Sequence, residues 1–161
     1  MLMRPAQATD HAAIWSILEP VIRAAEAYAL PRDMSRDEAL AYWAGTDRET
    51  FVAEDESGRV IGTYYLRANQ AGGGAHVANA GYMVAADAAG RGVARAMFAH
   101  SAERARERGF RAMQFNFVVS TNERGVRLWQ SLGFDTVGRL PAAFEHPSLG
   151  YVDVLVMYRT L

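Results

Sequence analysis

The chain has 161 residues, half of them hydrophobic, and this length and composition fit one globular domain over residues 1–161. It contains no cysteine, which excludes disulfides, thiolate metal sites and cysteine nucleophiles. The net charge of −1 gives no electrostatic field that would attract nucleic acid or an anionic membrane, so neither is an expected partner.

The first half of the chain predicts a strand, two helices and a hairpin. A short strand at residues 2–6 precedes a helix whose apolar residues recur on one face, and Pro20 should kink or end that helix. Ser35 stands three residues before Glu38, the spacing of a capping box, which predicts the start of a second helix. Residues 50–67 hold two β-rich runs around a polar turn, the pattern of an antiparallel hairpin.

The second half of the chain alternates strands with helices. Strands are predicted at residues 75–85 and 112–119, and the long helix between them begins at Gly92. A shorter helix ends at Gly133, and two final strands follow, joined by a proline-containing loop at residues 141–150. The element order is therefore β-α-α-β-β-β-α-β-α-β-β, which places the chain in the α/β (α+β) class.

The stretch from Gly90 to Ala94, "GRGVA", carries a strand directly into a helix. Such a turn leaves the amide hydrogens of the first helical turn unpaired, at the positive end of the helix dipole, and a pyrophosphate fits there. Gly92 and Ala94 remove side chains that would hold an anion away, while Arg91 and Arg95 can add charge-assisted hydrogen bonds. The turn therefore predicts an anion site.

A plain strand-to-helix turn, with glycine used for tight packing, is the alternative interpretation of the same residues. A dinucleotide-binding fingerprint fits poorly, because Ala96 or Met97 stands where the third glycine belongs and no parallel strand-helix-strand series surrounds the turn. The four histidines show no ligand spacing, so no metal site is expected.

Taken together, the element order, the "GRGVA" turn after a strand ending "GYMV", and the later "TNERGVRLWQSLGF" resemble the GNAT superfamily of acyl-CoA-dependent N-acetyltransferases. The resemblance covers essentially the whole chain. It implies a mixed, mostly antiparallel central sheet of about seven strands, splayed in the middle, with helices on both faces. It also implies acetyl-CoA as a co-substrate and a gap in the splayed sheet where the thioester meets the acceptor amine.

The resemblance assigns the cofactor contacts to the turn and to the strand before it. The turn amides would hold the pyrophosphate of coenzyme A, and the free strand backbone would pair with its pantetheine amides. The turn residues are Gly90, Arg91, Gly92, Val93, Ala94 and Arg95, and the strand residues are Tyr82, Met83 and Val84. Asn122 matches the family asparagine at the start of the next helix, and both Asn122 and Trp129 are expected at the cofactor.

Three positions depart from the family pattern. Ala89 stands where Gln or Arg is usual in the turn motif. Asn79 replaces the glutamate that many relatives use as general base, and an amide cannot take up a proton at neutral pH. Trp129, seven residues after Asn122, replaces a tyrosine that often acts as general acid. Both usual proton-transfer groups are therefore missing.

A narrower resemblance accounts for these departures from the family pattern. Asn79, Asn116, Asn122 and Trp129 have counterparts in the yeast-type N-acetyltransferases of azetidine-2-carboxylate and other proline analogues. The segment at residues 27–43 resembles phosphinothricin and methionine-sulfoximine acetyltransferases. Both likenesses imply a small amino-acid-like acceptor and a detoxifying role. The three asparagines would then be catalytic: their amides orient the amine and the thioester carbonyl while the proton passes to water.

Other interpretations stay open. Asn79 and Asn116 can instead pair a splayed backbone group, and Asn122 can simply cap its helix. The whole chain can be a coenzyme A-binding sensor without turnover, or a protein N-terminal acetyltransferase. No signal-peptide core or membrane-length apolar run is present, so a cytoplasmic location is expected. A homodimer is expected by analogy only.

Overall fold

A computed structural model describes all 161 residues, with seven strands and four α-helices in the predicted order. The seven strands form one sheet. The elements are β1 (Leu2–Pro5), α1 (His11–Ala24), α2 (Arg36–Trp43), β2 (Glu49–Glu54), β3 (Val60–Ala68), β4 (Val77–Val84), α3 (Val93–Glu107), β5 (Ala112–Val119), α4 (Glu123–Ser131), β6 (Asp135–His146) and β7 (Gly150–Thr160). The sheet order is β1-β2-β3-β4-β5-β7-β6. No helix is long and apolar enough to cross a membrane.

The sheet opens in its middle, between β4 and β5. These two strands are its one parallel pair, and their ladder is limited to Val77 with Ala112 and Ala78 with Met113. Beyond Ala78 the two strands separate, while all the other neighbours are antiparallel. The mixed, mostly antiparallel and splayed sheet expected from the sequence is confirmed.

Helices cover both faces of the sheet. On one face, apolar side chains of α1 and α2 pack against the sheet around Trp43, Tyr65 and Met83. On the other face, α3 packs through Val93, Met97 and Phe98 into a larger apolar cluster that also takes in Trp129 from α4. The predicted capping box is present: the Ser35 hydroxyl accepts from the Glu38 N–H, and the Glu38 carboxylate accepts from the Ser35 N–H.

Two local expectations about proline differ from the structure. Pro20 does not end α1: it lies inside the helix, which continues to Ala24. The face that carries Ile17, Leu18 and Ile22 is buried, and this burial offsets the roughly 3 kcal/mol that an interior proline costs.

The predicted loop at residues 141–150 is also shorter than expected. Its first six residues belong to β6, which runs to His146 and passes through Pro141 with a register shift between Leu140 and Phe144. β6 is one of the two edge strands of the sheet, and Pro141 lies within its register shift, so proline is tolerated there.

A buried ion pair ties the first strand to the start of α1. The Asp10 carboxylate is 6% exposed and accepts two hydrogen bonds from the Arg4 guanidinium, at 2.7 and 2.8 Å. It also accepts one from the Gln7 N–H at 2.7 Å. The hydrogen bonds from Arg4 hold the pKa of Asp10 below its ordinary value, against the opposing effect of burial.

We expect Asp10→Asn to lower the free energy of unfolding by roughly 1–3 kcal/mol at pH 7, because the neutral amide loses the charge-assisted hydrogen bonds from Arg4, which keeps only Glu54 as an acidic partner. A carboxyl whose pKa is lower in the folded state stabilises the protein above its unfolded pKa and loses that contribution as pH falls. The difference between wild type and variant should therefore shrink below about pH 4. Urea unfolding at pH 7 and pH 3 measures it, with the exposed Asp33→Asn as control; equal midpoints for all three proteins at pH 7 would contradict this assignment.

Candidate active site

A cleft of about 810 Å³ opens where β4 and β5 separate. Its walls come from these two strands, the start of α3, one face of α4 and the segment that links α1 to α2. All the site residues predicted from the sequence line this cleft except Met83 and Arg91. The splay therefore brings the turn, the free strand edge and the three asparagines into one cavity.

The charge of the cleft differs from the charge of the chain. Four arginines line it, together with no aspartate, glutamate or histidine, although the whole chain carries a net charge of −1. Arg95, Arg124 and Arg127 come from the helices beside the turn, and Arg67 comes from β3. A concave site with one sign of charge concentrates ligands of the opposite sign. The lining therefore favours anionic ligands.

The turn at the start of α3 presents free amide hydrogens. Gly90 and Gly92 have φ angles of +82° and +78°, in the left-handed region that favours glycine. Gly92 is the N-cap of α3, with no side chain capping the helix. The N–H groups of Val93, Ala94 and Arg95 have no hydrogen-bond acceptor within the protein. These donors and the helix dipole together have the chemistry that suits an anion.

Arginines from two helices surround this turn. An Arg124 guanidinium nitrogen lies 3.3 Å from where a Cβ on Gly90 would be, so this side chain lies directly against the turn. Arg95 donates to the Ser131 hydroxyl at 2.9 Å, which ties α3 to α4. Arg91 is exposed and does not line the cleft, whereas Arg124, which the sequence did not suggest, does line it. A signal that could have pointed to Arg124 is its position in the first turn after Asn122.

The free edge of β4 follows from the strand register. Bonded and non-bonded residue pairs alternate along an antiparallel ladder, and the Ala85 N–H bonds the Ile61 carbonyl at 2.9 Å. Met83 therefore directs its backbone toward β3, whereas Tyr82 and Val84 direct theirs into the gap. The Met83 side chain is buried under α1 and α2. The structure thus keeps Met83 from the cleft and offers Tyr82 and Val84 for pairing.

One side chain already occupies part of this edge. The Tyr28 hydroxyl accepts a hydrogen bond from the Tyr82 N–H and donates one to the Tyr82 carbonyl, both at 2.9 Å. Tyr28 lies in the irregular segment between α1 and α2 and lines the cleft. It therefore takes the place of the strand neighbour that Tyr82 lacks. In the sequence Tyr28 lies within the segment at residues 27–43 that resembles phosphinothricin acetyltransferases, but nothing there assigned it a role.

Asn79 bridges the two strands just where their ladder ends. Its amide nitrogen donates to the Gln114 carbonyl of β5 at 3.0 Å, and its oxygen faces the Arg67 Nε at 3.4 Å. The side chain is 6% exposed. Arg67 has only a loose ion pair, 3.6 Å from Asp47, so it keeps donors free for a ligand. Asn79 thus links β4 to β5 where the two strands separate, and it also contacts Arg67 in the wall of the cleft.

Asn116 lies at a bulge in β5. The register with β7 shifts between Phe115 and Val118, and such a bulge redirects the side chains within it. The Asn116 amide is exposed, donates to the Asn69 side chain at 2.6 Å and accepts from the Gln114 side chain at 2.9 Å. Asn116 lines the cleft, and a ligand could replace either of these exposed hydrogen bonds.

Asn122 is the N-cap of α4. Its side-chain oxygen accepts from the Gly125 N–H at 3.2 Å, and a Cβ on Gly125 would lie 2.7 Å from the Asn122 amide nitrogen. Glycine at position 125 therefore makes room for the cap. Because the amide hydrogens of Asn122 are not used in this cap, capping and ligand contact are compatible.

Trp129 forms part of the apolar wall of the cleft. Its ring centroid lies 4.8 Å from that of Phe115 and 5.1 Å from that of Tyr82. It brings no group that titrates near neutral pH. Since no carboxylate or imidazole lines the cleft either, the lining offers no side chain to act as a general base.

Comparisons with known proteins agree with this geometry. The sequence model of the acetyltransferase (GNAT) family matches residues 11–134. The structure of a GCN5-related N-acetyltransferase from Kribbella flavida is 44% identical, with a TM-score of 0.94 over 99% of this chain and 97% of that one. A phosphinothricin acetyltransferase from Sinorhizobium meliloti, solved with AcCoA, shares the fold at 24% identity and a TM-score of 0.85, over 99% of this chain and 88% of that one.

A curated relative extends the comparison to fungi. N-acetyltransferase aca1 of Schizosaccharomyces pombe is 30% identical over 98 residues, which make up 60% of this chain and 47% of that protein. The matched chain thus spans about half the length of that relative. The resemblance read from the sequence motifs is confirmed: the chain belongs to the acetyltransferase (GNAT) family.

Proposed function

We propose that the protein transfers the acetyl group of acetyl-CoA to the amine of a small amino acid or amino-acid analogue. The observation that carries this proposal is the lining of the cleft, which has four arginines and no acidic residue, with Arg67 on β3 and the other three on α3 and α4. Acetyl-CoA is polyanionic, and an amino acid adds a carboxylate to the amine that reacts. Two anionic ligands account for two separate positive regions.

The three helix-borne arginines and the free amides of the turn suit the phosphates of acetyl-CoA. The pantetheine arm then follows the free edge of β4, where Val84 offers backbone groups in the way an added strand does, while those of Tyr82 are bonded to the Tyr28 hydroxyl. From Val84 to Asn79 this edge is about 16 Å long, at about 3.3 Å per residue. The thioester therefore reaches the part of the cleft that Tyr28, Arg67 and Asn79 line.

Arg67 is the group we assign to the acceptor carboxylate. It lies on β3 beside Asn79, with guanidinium hydrogens that its loose contact with Asp47 does not use. The amine nitrogen attacks the thioester carbon, the C–N bond forms and the C–S bond breaks, and coenzyme A leaves as the thiolate. The amine loses a proton to water, since no base lines the cleft. Asn79 and Asn116 orient the reactants.

We expect Arg67→Met to raise the KM for an amino-acid acceptor roughly 10- to 100-fold, because a charge-assisted hydrogen bond to the carboxylate is lost. The same substitution should leave the KM for the amide of that amino acid nearly unchanged. Release of free thiol from acetyl-CoA over a panel of amines gives both values, and Arg139→Met, on the exposed β6, is the control. Equal turnover of an amino acid and a simple alkylamine by the wild type would refute the acceptor class.

The same panel separates the two other functions left open by the sequence. A coenzyme A sensor binds acetyl-CoA without releasing thiol from it, whatever amine is added. A protein N-terminal acetyltransferase acts on peptides more efficiently than on free amino acids. Detoxification of amino-acid analogues, a cytoplasmic location and a homodimer stay predictions.

A further inference from the structure

Transfer of an acetyl group places negative charge on the thioester oxygen as the amine attacks. Hydrogen-bond donors aimed at that oxygen supply much of the rate enhancement in such reactions. In many relatives a tyrosine acts as general acid. At the corresponding position this chain has Trp129, which is part of the apolar wall of the cleft. Another hydroxyl, that of Tyr28, lies on the β4 edge along which the thioester is expected.

We propose that the Tyr28 hydroxyl donates a hydrogen bond to the carbonyl oxygen of the bound thioester and stabilises the oxyanion that forms there. This inference rests on the proposed acetyl transfer. The Tyr82 N–H holds the phenol oxygen in place at 2.9 Å. The hydroxyl hydrogen, which points to the Tyr82 carbonyl at 2.9 Å in the absence of ligand, needs only to turn about the C–O bond.

The surroundings of Tyr28 keep its hydroxyl a neutral donor. Burial raises the pKa of the Tyr28 phenol above its ordinary value, against a smaller opposing effect of the Tyr82 backbone. The ring meets Trp43 edge to face, with the centroids 6.0 Å apart, which fixes its orientation. A donor already bonded by an N–H is also polarised by it, and chains of hydrogen bonds strengthen one another.

The step balances without a proton leaving Tyr28. As the C–N bond forms, an electron pair moves to the carbonyl oxygen, which accepts the hydrogen bond from Tyr28. As the C–S bond breaks, that pair returns to re-form the carbonyl, and the sulfur leaves with the electrons of the broken bond. Tyr28 ends each cycle in the state in which it began. Its role is stabilisation of charge, distinct from general acid catalysis.

Tyr28→Phe removes only the hydroxyl and tests the proposal directly. We expect kcat to fall roughly 10- to 100-fold, with the KM for the amine changed less than about threefold. Tyr64→Phe is the matched control, because the Tyr64 hydroxyl is also buried and hydrogen-bonded, to the His100 Nδ1 at 2.6 Å, but lies outside the cleft. An unchanged kcat in Tyr28→Phe would overturn the proposal.

An infrared measurement tests the hydrogen bond from Tyr28 to the thioester carbonyl without any turnover of substrate. Infrared difference spectra of bound [1-¹³C]acetyl-CoA and unlabelled acetyl-CoA, without amine, report the stretching frequency of the thioester carbonyl. A donor to that oxygen lowers the frequency, so it should be higher in Tyr28→Phe than in wild type and Tyr64→Phe. Identical frequencies would overturn the proposal even if kcat falls. A wild type that acetylates no amine would refute the proposed function, while the infrared comparison would still test Tyr28.

Discussion

Gly92→Asp is expected to abolish measurable binding of acetyl-CoA. The new carboxylate would lie at the N-cap of α3, beside the three free amides that are expected to hold the pyrophosphate. Repulsion between two anions then replaces attraction, and the affinity should fall roughly 100-fold or more. Nothing lies within 4 Å of a Cβ at Gly92, so the effect comes from charge and backbone strain and involves no steric clash within the protein.

Two controls separate charge from strain. Gly92→Asn has nearly the same shape as Gly92→Asp, and asparagine tolerates the left-handed region, so it should weaken binding far less. Gly58→Asp places a carboxylate at a φ of +81°, again with nothing within 4 Å, on a turn away from the cleft, and should leave binding unchanged. Titration calorimetry with coenzyme A and acetyl-CoA gives the affinities. Wild-type affinity in Gly92→Asp would exclude the turn as the phosphate site.

Much of the fold was predictable because its signals are local. The capping box at Ser35 and the glycines at positions 92 and 133, with φ angles of +78° and +85°, act through their own backbone and a few neighbours. Pro20 is an exception, because the local rule that proline ends a helix does not hold there. Whether a helix survives an interior proline depends on how much apolar surface it buries against the sheet, and this is a tertiary quantity.

The site residues also differ in whether local sequence signals could predict them. The turn and Asn122 are neighbours in sequence of the elements that they cap, so their positions could be read from the motif. The strand edge could not be assigned residue by residue, because a shift of one residue in register exchanges Met83 for Tyr82. Tyr28 and Arg67 reach the cleft from a loop and from another strand, and only the folded chain brings them together.

Asn79→Asp tests the proton question at the position where many relatives keep a glutamate. In the structure the Asn79 amide nitrogen donates to the Gln114 carbonyl at 3.0 Å, so a carboxylate would set oxygen against oxygen in a site that is 6% exposed. It would also place negative charge near the oxyanion. If the amide orients the reactants, kcat should fall roughly 10- to 1000-fold. If the enzyme merely lacks a base, the new carboxylate should give equal or faster turnover at neutral pH.

Two alanine variants show whether a loss of kcat comes from the lost amide contacts with the reactants or from a disturbed sheet. Asn79→Ala removes the bridge to β5 without adding charge, and Asn116→Ala removes an exposed amide that holds no strand together. We expect both to lower kcat within the same range, with the fold retained and coenzyme A affinity near that of wild type. Melting curves and calorimetry check those two conditions. A lower melting temperature and weaker coenzyme A binding in Asn79→Ala, with wild-type kcat in Asn116→Ala, would mean that Asn79 maintains the splay of the sheet and that neither amide acts on the reacting groups.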